Sequence, residues 1–147
     1  MFQSLYTAHA VATGGRDGHV TSSDNVLDLD VRTPRELGGP GGAFTNPEQL
    51  FAAGYAACFD SALNLVIRMA KIKTGTTKVG AHISLGKLET GGFGLAVTLS
   101  VNVPGVEQAV AEDLVNKAHA VCPYSNATRG NIEVTLSVTN QEADVQV

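Results

Sequence analysis

Two cysteines are the residues of this chain whose chemistry could define a function. Cys58 lies in the apolar string AACF, and Cys122 comes directly before Pro123. A thiolate is a nucleophile, and two thiols that meet in a fold can form a disulfide. An isolated helical cysteine is, however, more often a small buried hydrophobic residue. Spacing alone therefore leaves two interpretations open: a redox pair, or two chemically inert cysteines.

The residue types that bind metals are not arranged for that purpose. The cysteines form no CxxC motif and have no histidine-rich neighbourhood. The histidines are scattered, and none stands four residues from another type of ligand; they are His9, His19, His82 and His119. No metal site is therefore predicted, and no bound cofactor is expected.

Composition and charge argue against several classes of function. The 147 residues carry a formal charge of −4, so no basic face is available for nucleic-acid phosphates. The N-terminal MFQSLYTAHA lacks a basic region followed by an apolar one, which argues against a signal peptide. The apolar run around Cys58 is interrupted by Asp60, Asn64 and Arg68, which is not typical of a membrane span. We expect a cytoplasmic protein whose cysteines are kept reduced.

The element that must position Cys58 is a helix predicted over residues 46–72. Asn46 suits the N-cap, Pro47 suits the first helical position, and Glu48 suits the positive end of the helix dipole. Apolar residues cover most faces of this segment, which predicts a buried helix. One sheet covers only one side of such a helix. We therefore expect a partner subunit on the other side, in a two-fold homodimer.

The other elements predict the fold class. They are, in chain order, strands over residues 5–13, 19–23 and 25–31, a loop over 33–45, a hairpin over 76–87 and 93–103, a helix over 106–122, and a strand over 131–138. Pro123 ends the second helix, so Cys122 is expected at its C-terminus. This order predicts a single α+β domain over residues 1–147 with an antiparallel sheet.

Four strings of the sequence resemble those of a known family. They are LYTAHAVATGGRDGHV (5–20), ELGGPGGAFTNPE (36–48), TNPEQLFAAGYAACF (45–59) and VCPYSNATRGNIEV (121–134). All four are similar to strings of the organic hydroperoxide resistance proteins, a thiol-peroxidase branch of the OsmC-like family. The string CPYSNATRGN indicates this branch rather than its sister branch. The resemblance extends from about residue 5 to residue 138.

The resemblance implies an activity and a set of site residues. Cys58 would be the peroxidatic nucleophile, Cys122 the resolving thiol that forms a disulfide with it, and Arg16 with Glu48 would complete the active site. It also implies an intertwined homodimer, with antiparallel sheets packed around a buried central helix and active sites at the subunit interface. The substrates would be organic hydroperoxides, fatty-acid ones included. The external reductant would be a dihydrolipoyl dithiol, from a lipoylated protein or as dihydrolipoamide.

Elementary chemistry supports a site that combines Cys58, Arg16 and Glu48. A thiol among apolar side chains has a raised pKa, and a nearby guanidinium stabilises its thiolate. A carboxylate such as Glu48 can hold the fork of Arg16 in bidentate geometry. Without the resemblance, Arg16 would be interpreted as a solvated turn residue and Glu48 as a partner of the helix dipole.

The rise of a helix and the geometry of a disulfide set two conditions for such an active site. Glu48 and Cys58 are ten residues apart, which is about 15 Å along one straight helix. Either the helix breaks between them, with Gly54 as the candidate, or Arg16 and Glu48 reach Cys58 from other segments or from the partner chain. The C-terminus of the second helix must also pack beside Cys58, because a disulfide needs Cα atoms about 4.4–6.8 Å apart.

Substrate preference and rival functions stay open at this level. Apolar walls would favour alkyl peroxides over hydrogen peroxide, and Phe93, Leu95 and Tyr124 are the candidates, with core packing as their alternative role. One rival function is a peroxide-sensing redox protein with little turnover. The other is a structural or ligand-binding dimer whose cysteines are inert.

Overall fold

The computed structural model describes residues 1–142 and residue 145. The chain divides into two compact units, with the boundary between Leu50 and Phe51. Each unit contains one three-stranded sheet. The α+β fold class is confirmed, while a single domain over residues 1–147 stays a prediction.

The first unit contains a small antiparallel sheet in the order β1-β2-β3. Its strands are β1 Ala10–Thr13, β2 His19–Ser22 and β3 Asp28–Asp30. The strands are shorter than predicted: β1 lacks residues 5–9, and turn and bend residues 23–26 lie between β2 and β3. A 3-10 turn over Gly15–Asp17 joins β1 to β2, and Val31 forms an isolated parallel bridge with Thr45. The predicted 33–45 loop contains a second 3-10 turn, Arg35–Leu37.

Helix α1 covers Pro47–Ala70. The predicted cap is confirmed, since the side-chain oxygen of Asn46 accepts the backbone N–H of Gln49 at 2.8 Å. One stripe of the helix is buried, and it comprises Tyr55, Phe59, Ala62, Leu63, Val66 and Ile67. The opposite face is not covered in the single chain: Met69 is 74% exposed and Leu65 is 44% exposed. Burial of nearly all faces, as predicted, is thus not reached within one chain.

Helix α1 is long and apolar enough to cross a membrane by length and composition alone. The core helix of a globular protein meets the same criterion. Its polar residues are used within the fold: the Asp60 carboxylate accepts the Thr77 hydroxyl at 2.6 Å, and the Asn64 amide donates to the same hydroxyl at 2.9 Å.

The second sheet has the order β4-β5-β6. Strands β4 Lys78–Lys87 and β5 Phe93–Asn102 form the predicted hairpin, and β6 Val134–Thr139 pairs with β5. The pairing of β5 with β6 is parallel, so the prediction of an exclusively antiparallel sheet is wrong for the last strand. The physical reason is the connection, because the helical segment between β5 and β6 returns the chain to the end of the sheet where β5 began.

Two helices make that connection. Helix α2 covers Gln108–Val121, and the short helix α3 covers Pro123–Thr128. Pro123 ends α2 as predicted, but it also takes the first position of α3, a helix that the sequence analysis missed. Cys122 is therefore the residue between two helices. The core of the second unit lies among α1, α2 and the alternate β5 residues Val97, Leu99 and Val101.

Candidate active site

The two cysteines meet within the second unit. The sulfurs of Cys58 and Cys122 are 3.7 Å apart, with the Cys122 thiol placed as a donor to the Cys58 sulfur. Both are unbonded thiols; Cys122 is fully buried and Cys58 is partly buried. The backbone N–H of Cys122 closes the last turn of α2 by donating to the Ala118 carbonyl at 2.8 Å. The prediction that the C-terminus of the second helix packs beside Cys58 is confirmed.

The surroundings of Cys58 act on its protonation in opposite directions. Burial raises the pKa of the Cys58 thiol above its ordinary value. The backbone N–H of Tyr124 lowers this pKa, because it is a hydrogen-bond donor to the sulfur. Burial is the larger effect, so the net shift favours the neutral thiol.

Tyr124 is the one of the three predicted substrate-binding residues that lies beside the cysteine pair. Its ring packs 5.6 Å from the ring of Tyr55 and 6.1 Å from that of Phe51, measured between centroids. Gly54 leaves the space for it, since a Cβ at that position would lie 2.8 Å from the Tyr124 hydroxyl oxygen. Tyr124 is 38% exposed, so part of its ring is available to a ligand.

The other two candidates for substrate binding lie on β5. Phe93 begins the strand opposite Lys87 and is largely exposed. Leu95 pairs with Leu85 and is partly buried. Roles for Phe93, Leu95 and Tyr124 in substrate binding stay predictions.

Arg16 and Glu48 form a bidentate ion pair within the first unit. Nη1 of Arg16 donates to Oε2 of Glu48 at 2.8 Å, and Nη2 donates to Oε1 at 2.5 Å. This pairing raises the pKa of Arg16 and lowers the pKa of Glu48. Both side chains are therefore charged at neutral pH. The guanidinium is held by two parallel bonds, which leaves its other N–H groups for a further acceptor.

The turn that carries Arg16 depends on glycine. A Cβ at Gly18 would lie 1.6 Å from the carbonyl oxygen of Thr13, so no other residue fits without moving the backbone. Gly14 takes a φ of 73°, the left-handed region, at the start of the same turn. Gly14 and Gly18 are thus structural requirements of the turn that carries Arg16.

The four predicted catalytic residues therefore lie in two pairs, one in each unit. Helix α1 is continuous through Gly54, so a helix break there, one of the two predicted alternatives, is wrong. The other alternative, approach of Arg16 and Glu48 to Cys58 from other segments or from the partner chain, stays a prediction. So do the catalytic roles of all four residues.

A buried polar cluster beside the cysteines was not found from the sequence. It consists of the hydroxyls of Tyr55, Ser125 and Thr128 and the imidazole of His119. The one available signal was position: Tyr55, Ser125 and Thr128 lie inside the strings around Cys58 and Cys122 that carry the family resemblance. Among residues 1–142 and 145, no group of three or more His, Cys, Asp or Glu is arranged to bind a metal ion.

Comparison with known proteins gives the family. The model of the family described as OsmC-like protein matches residues 39–137. The organic hydroperoxide resistance protein of Xanthomonas axonopodis pv. citri is 57% identical over 135 residues, which cover 91% of this chain and 94% of that protein. The organic hydroperoxide resistance protein OhrA of Bacillus subtilis is 56% identical over 143 residues, which cover 94% and 99%.

Solved structures agree with this relationship. A crystal structure of an organic hydroperoxide resistance protein from Elizabethkingia anophelis has a TM-score of 0.92 and 61% identity, and the match covers 95% of this chain and all of that one. The structure of OhrB of Bacillus subtilis has a TM-score of 0.85 and 47% identity, with 92% of this chain and 100% of that one covered. The chain therefore belongs to the OsmC-like family, within its organic hydroperoxide resistance branch.

Proposed function

We propose that this protein is a cysteine-based peroxidase that reduces organic hydroperoxides to alcohols. The observation that carries the proposal is the 3.7 Å approach of the Cys58 and Cys122 sulfurs, two free thiols from different helices. The names of the relatives, organic hydroperoxide resistance proteins, support the choice of substrate.

The proposed cycle balances at each step. The Cys58 thiolate attacks one oxygen of the hydroperoxide, the O–O bond breaks, and the leaving alkoxide takes a proton to become an alcohol. The sulfur, now oxidised by two electrons, is a sulfenic acid. The Cys122 thiol attacks this sulfur, which forms the disulfide and releases water. A dithiol then reduces the disulfide by thiol exchange and becomes a cyclic disulfide.

The Arg16–Glu48 pair is proposed to activate the thiolate. The guanidinium, from the same chain or from the partner, offsets the effect of burial on Cys58 and donates hydrogen bonds to the sulfur and to the peroxide oxygens. Glu48 fixes the orientation of the fork and remains ionised throughout. The bidentate geometry of the pair supports this role, since it leaves the guanidinium charged and oriented.

The identity of the reductant is also proposed. Dihydrolipoyl groups, on lipoylated proteins or as dihydrolipoamide, would reduce the disulfide, and no cofactor would be bound permanently. A dithiol suits the reaction, because its second sulfur resolves the mixed disulfide within one molecule. This chemistry fits the cytoplasm, where thiols are kept reduced.

We further propose a homodimer. Residues of α1 and α2 line an open cavity of about 420 Å³ in the second unit, among them Leu65, Met69, Ala120 and Val121. Met69 and Val121 are 74% and 50% exposed in the single chain. An exposed apolar surface of this kind, formed in part by the helix that carries Cys58, is typical of a subunit interface.

A steady-state assay tests the activity. The wild-type protein is supplied with tert-butyl or lipid hydroperoxide and dihydrolipoamide, and peroxide consumption is compared with that of hydrogen peroxide. We expect turnover, with preference for the organic peroxide, and loss of turnover in Cys58→Ser. Undiminished turnover in Cys58→Ser would exclude Cys58 as the nucleophile. Oxidation of one equivalent without turnover would favour the alternative function, a peroxide-sensing redox protein.

A further inference from the structure

The buried polar cluster beside the cysteines connects three helices. The Tyr55 hydroxyl on α1 lies 3.0 Å from the Ser125 hydroxyl and 3.2 Å from the Thr128 hydroxyl, both on α3. The Ser125 hydroxyl also lies 2.8 Å from Nδ1 of His119 on α2. Tyr55 and Ser125 are fully buried and Thr128 is 5% exposed, so the two bonds of the Tyr55 hydroxyl are shielded from water, while His119 is partly buried.

Each hydroxyl or imidazole hydrogen of this cluster can be assigned to one acceptor. The Thr128 hydroxyl donates to the Ser125 carbonyl at 3.1 Å. The Tyr55 hydroxyl can then donate to Thr128, Ser125 to Tyr55, and Nδ1–H of His119 to Ser125. Burial lowers the pKa of His119, which keeps the imidazole neutral, with a single N–H. In this arrangement each hydrogen is used once.

The chain of hydrogen bonds joins the two segments that carry the reactive sulfurs. Tyr55 lies one helical turn before Cys58 on the same face of α1, and Ser125 lies one turn after Cys122. The bond between Tyr55 and Ser125 therefore constrains how the segment that carries Cys122 lies against the segment that carries Cys58.

We propose that Tyr55, Ser125, Thr128 and His119 form a positioning network that holds Cys122 within reach of Cys58 and so promotes the Cys58–Cys122 disulfide. The inference rests on the proposed function, because it concerns the resolving step of that reaction. Apolar side chains would fill the same space without fixing the angle between the helices. Hydrogen bonds are directional, so they define one arrangement of the α2–α3 junction.

The test uses substitutions that remove one hydroxyl and preserve the shape of the side chain. Tyr55→Phe and Thr128→Val remove members of the network, Thr128→Ser retains the hydroxyl, and Tyr6→Phe makes the same chemical change as Tyr55→Phe at an exposed position. The disulfide is formed with diamide, and its equilibrium with reduced and oxidised glutathione is measured by alkylation and intact mass. Stopped-flow oxidation by tert-butyl hydroperoxide supplies the rates of the two steps.

We expect Tyr55→Phe and Thr128→Val to lower the equilibrium constant for disulfide formation about five-fold, which raises the reduction potential of the pair by about 20 mV. The rate of disulfide formation falls by a similar factor, while the rate of Cys58 oxidation changes less than about two-fold. Thr128→Ser and Tyr6→Phe match the wild type. A contribution to fold stability that is equal in the dithiol and disulfide states cancels in this equilibrium, so a merely structural role does not move it.

A lower melting temperature with an unaltered glutathione equilibrium in both Tyr55→Phe and Thr128→Val overturns the inference. If one variant does not fold, the other decides the outcome. Failure of the wild-type protein to react with any organic hydroperoxide would overturn the proposed function instead. The diamide and glutathione measurement still tests the network in that case, since it uses no peroxide.

Discussion

Replacement of Cys122 by serine removes the resolving thiol and leaves the Cys58 sulfenic acid exposed to a second peroxide. In the wild-type protein, the sulfenic acid has a neighbouring thiol whose sulfur lies 3.7 Å away before oxidation. In Cys122→Ser, the next reaction available is oxidation to sulfinic acid, which thiols do not reverse. The variant should therefore lose activity through overoxidation of Cys58, with its first turnover intact.

The size of this protection follows from the sulfur–sulfur distance. One sulfur confined to a sphere of 3.7 Å radius around the other corresponds to a local concentration of about 8 M. Peroxide at about 1 mM would lose this competition by a factor of about 8,000 if the two reactions had equal rate constants. The wild type should thus form disulfide almost exclusively, and the variant should not.

The assay is a titration of reduced protein with tert-butyl hydroperoxide, followed by intact mass. The wild type should lose two mass units at every peroxide level, and Cys122→Ser should gain one and then two oxygen atoms. Cys122→Ala is the matched control for the serine hydroxyl and should behave as Cys122→Ser does. Resistance of Cys122→Ser to overoxidation equal to that of the wild type would refute the reasoning.

Three further predictions concern the ion pair and the uncovered helix. Glu48→Gln should slow Cys58 oxidation about ten-fold in stopped-flow measurements, because the guanidinium loses one of its two charge-assisted bonds, whereas Glu36→Gln, at an exposed position, should not. The pair lowers the pKa of Glu48, so its contribution to the free energy of unfolding, at most about 1 kcal/mol, is complete above the usual pKa of 4.5 and is lost as the pH falls through the lower folded pKa. Urea denaturation of wild type and Glu48→Gln across this range should show the difference vanish in acid, and a difference that persists there would contradict the assignment. Met69→Glu should shift sedimentation toward the monomer, whereas Leu88→Glu on the exposed hairpin turn should not; an unchanged dimer in Met69→Glu would place the interface elsewhere.

Local patterns in the sequence were sufficient for the main elements. The start of α1 was predictable because Asn46 and Pro47 have positional preferences that depend only on their own chemistry. The β4–β5 hairpin was predictable because Gly91 and Gly92 supply the positive φ angles, 89° and 82°, that its turn requires. The location of Cys122 at the end of a helix followed from Pro123.

Features that depend on distant parts of the chain were not predictable in this way. The direction of β6 depends on the path of α2 and α3, and no residue within Val134–Thr139 encodes whether its neighbour is parallel. Helix α3 was missed because the same proline that ends α2 begins it. The contacts of Tyr55 with Ser125 and Thr128 join residues about 70 positions apart, and a hydroxyl carries no sequence signal for its partner.

In the candidate site, too, the sequence identified residues and the structure was needed to show their contacts. The family resemblance identified four site residues, which are Arg16, Glu48, Cys58 and Cys122. The structure adds the geometry of each pair: Arg16 and Glu48 share two parallel hydrogen bonds, and the two cysteine sulfurs lie 3.7 Å apart. Composition alone could not have paired the cysteines, because neither lies in a motif that specifies a partner.

The most direct test of the central claim is the mass of the reduced wild-type protein after one equivalent of an alkyl hydroperoxide. Cys58 as nucleophile and Cys122 as resolving thiol require a loss of two mass units, with a peptide map that links the two cysteines. A gain of one oxygen atom without a disulfide, or no change in mass, would contradict this account.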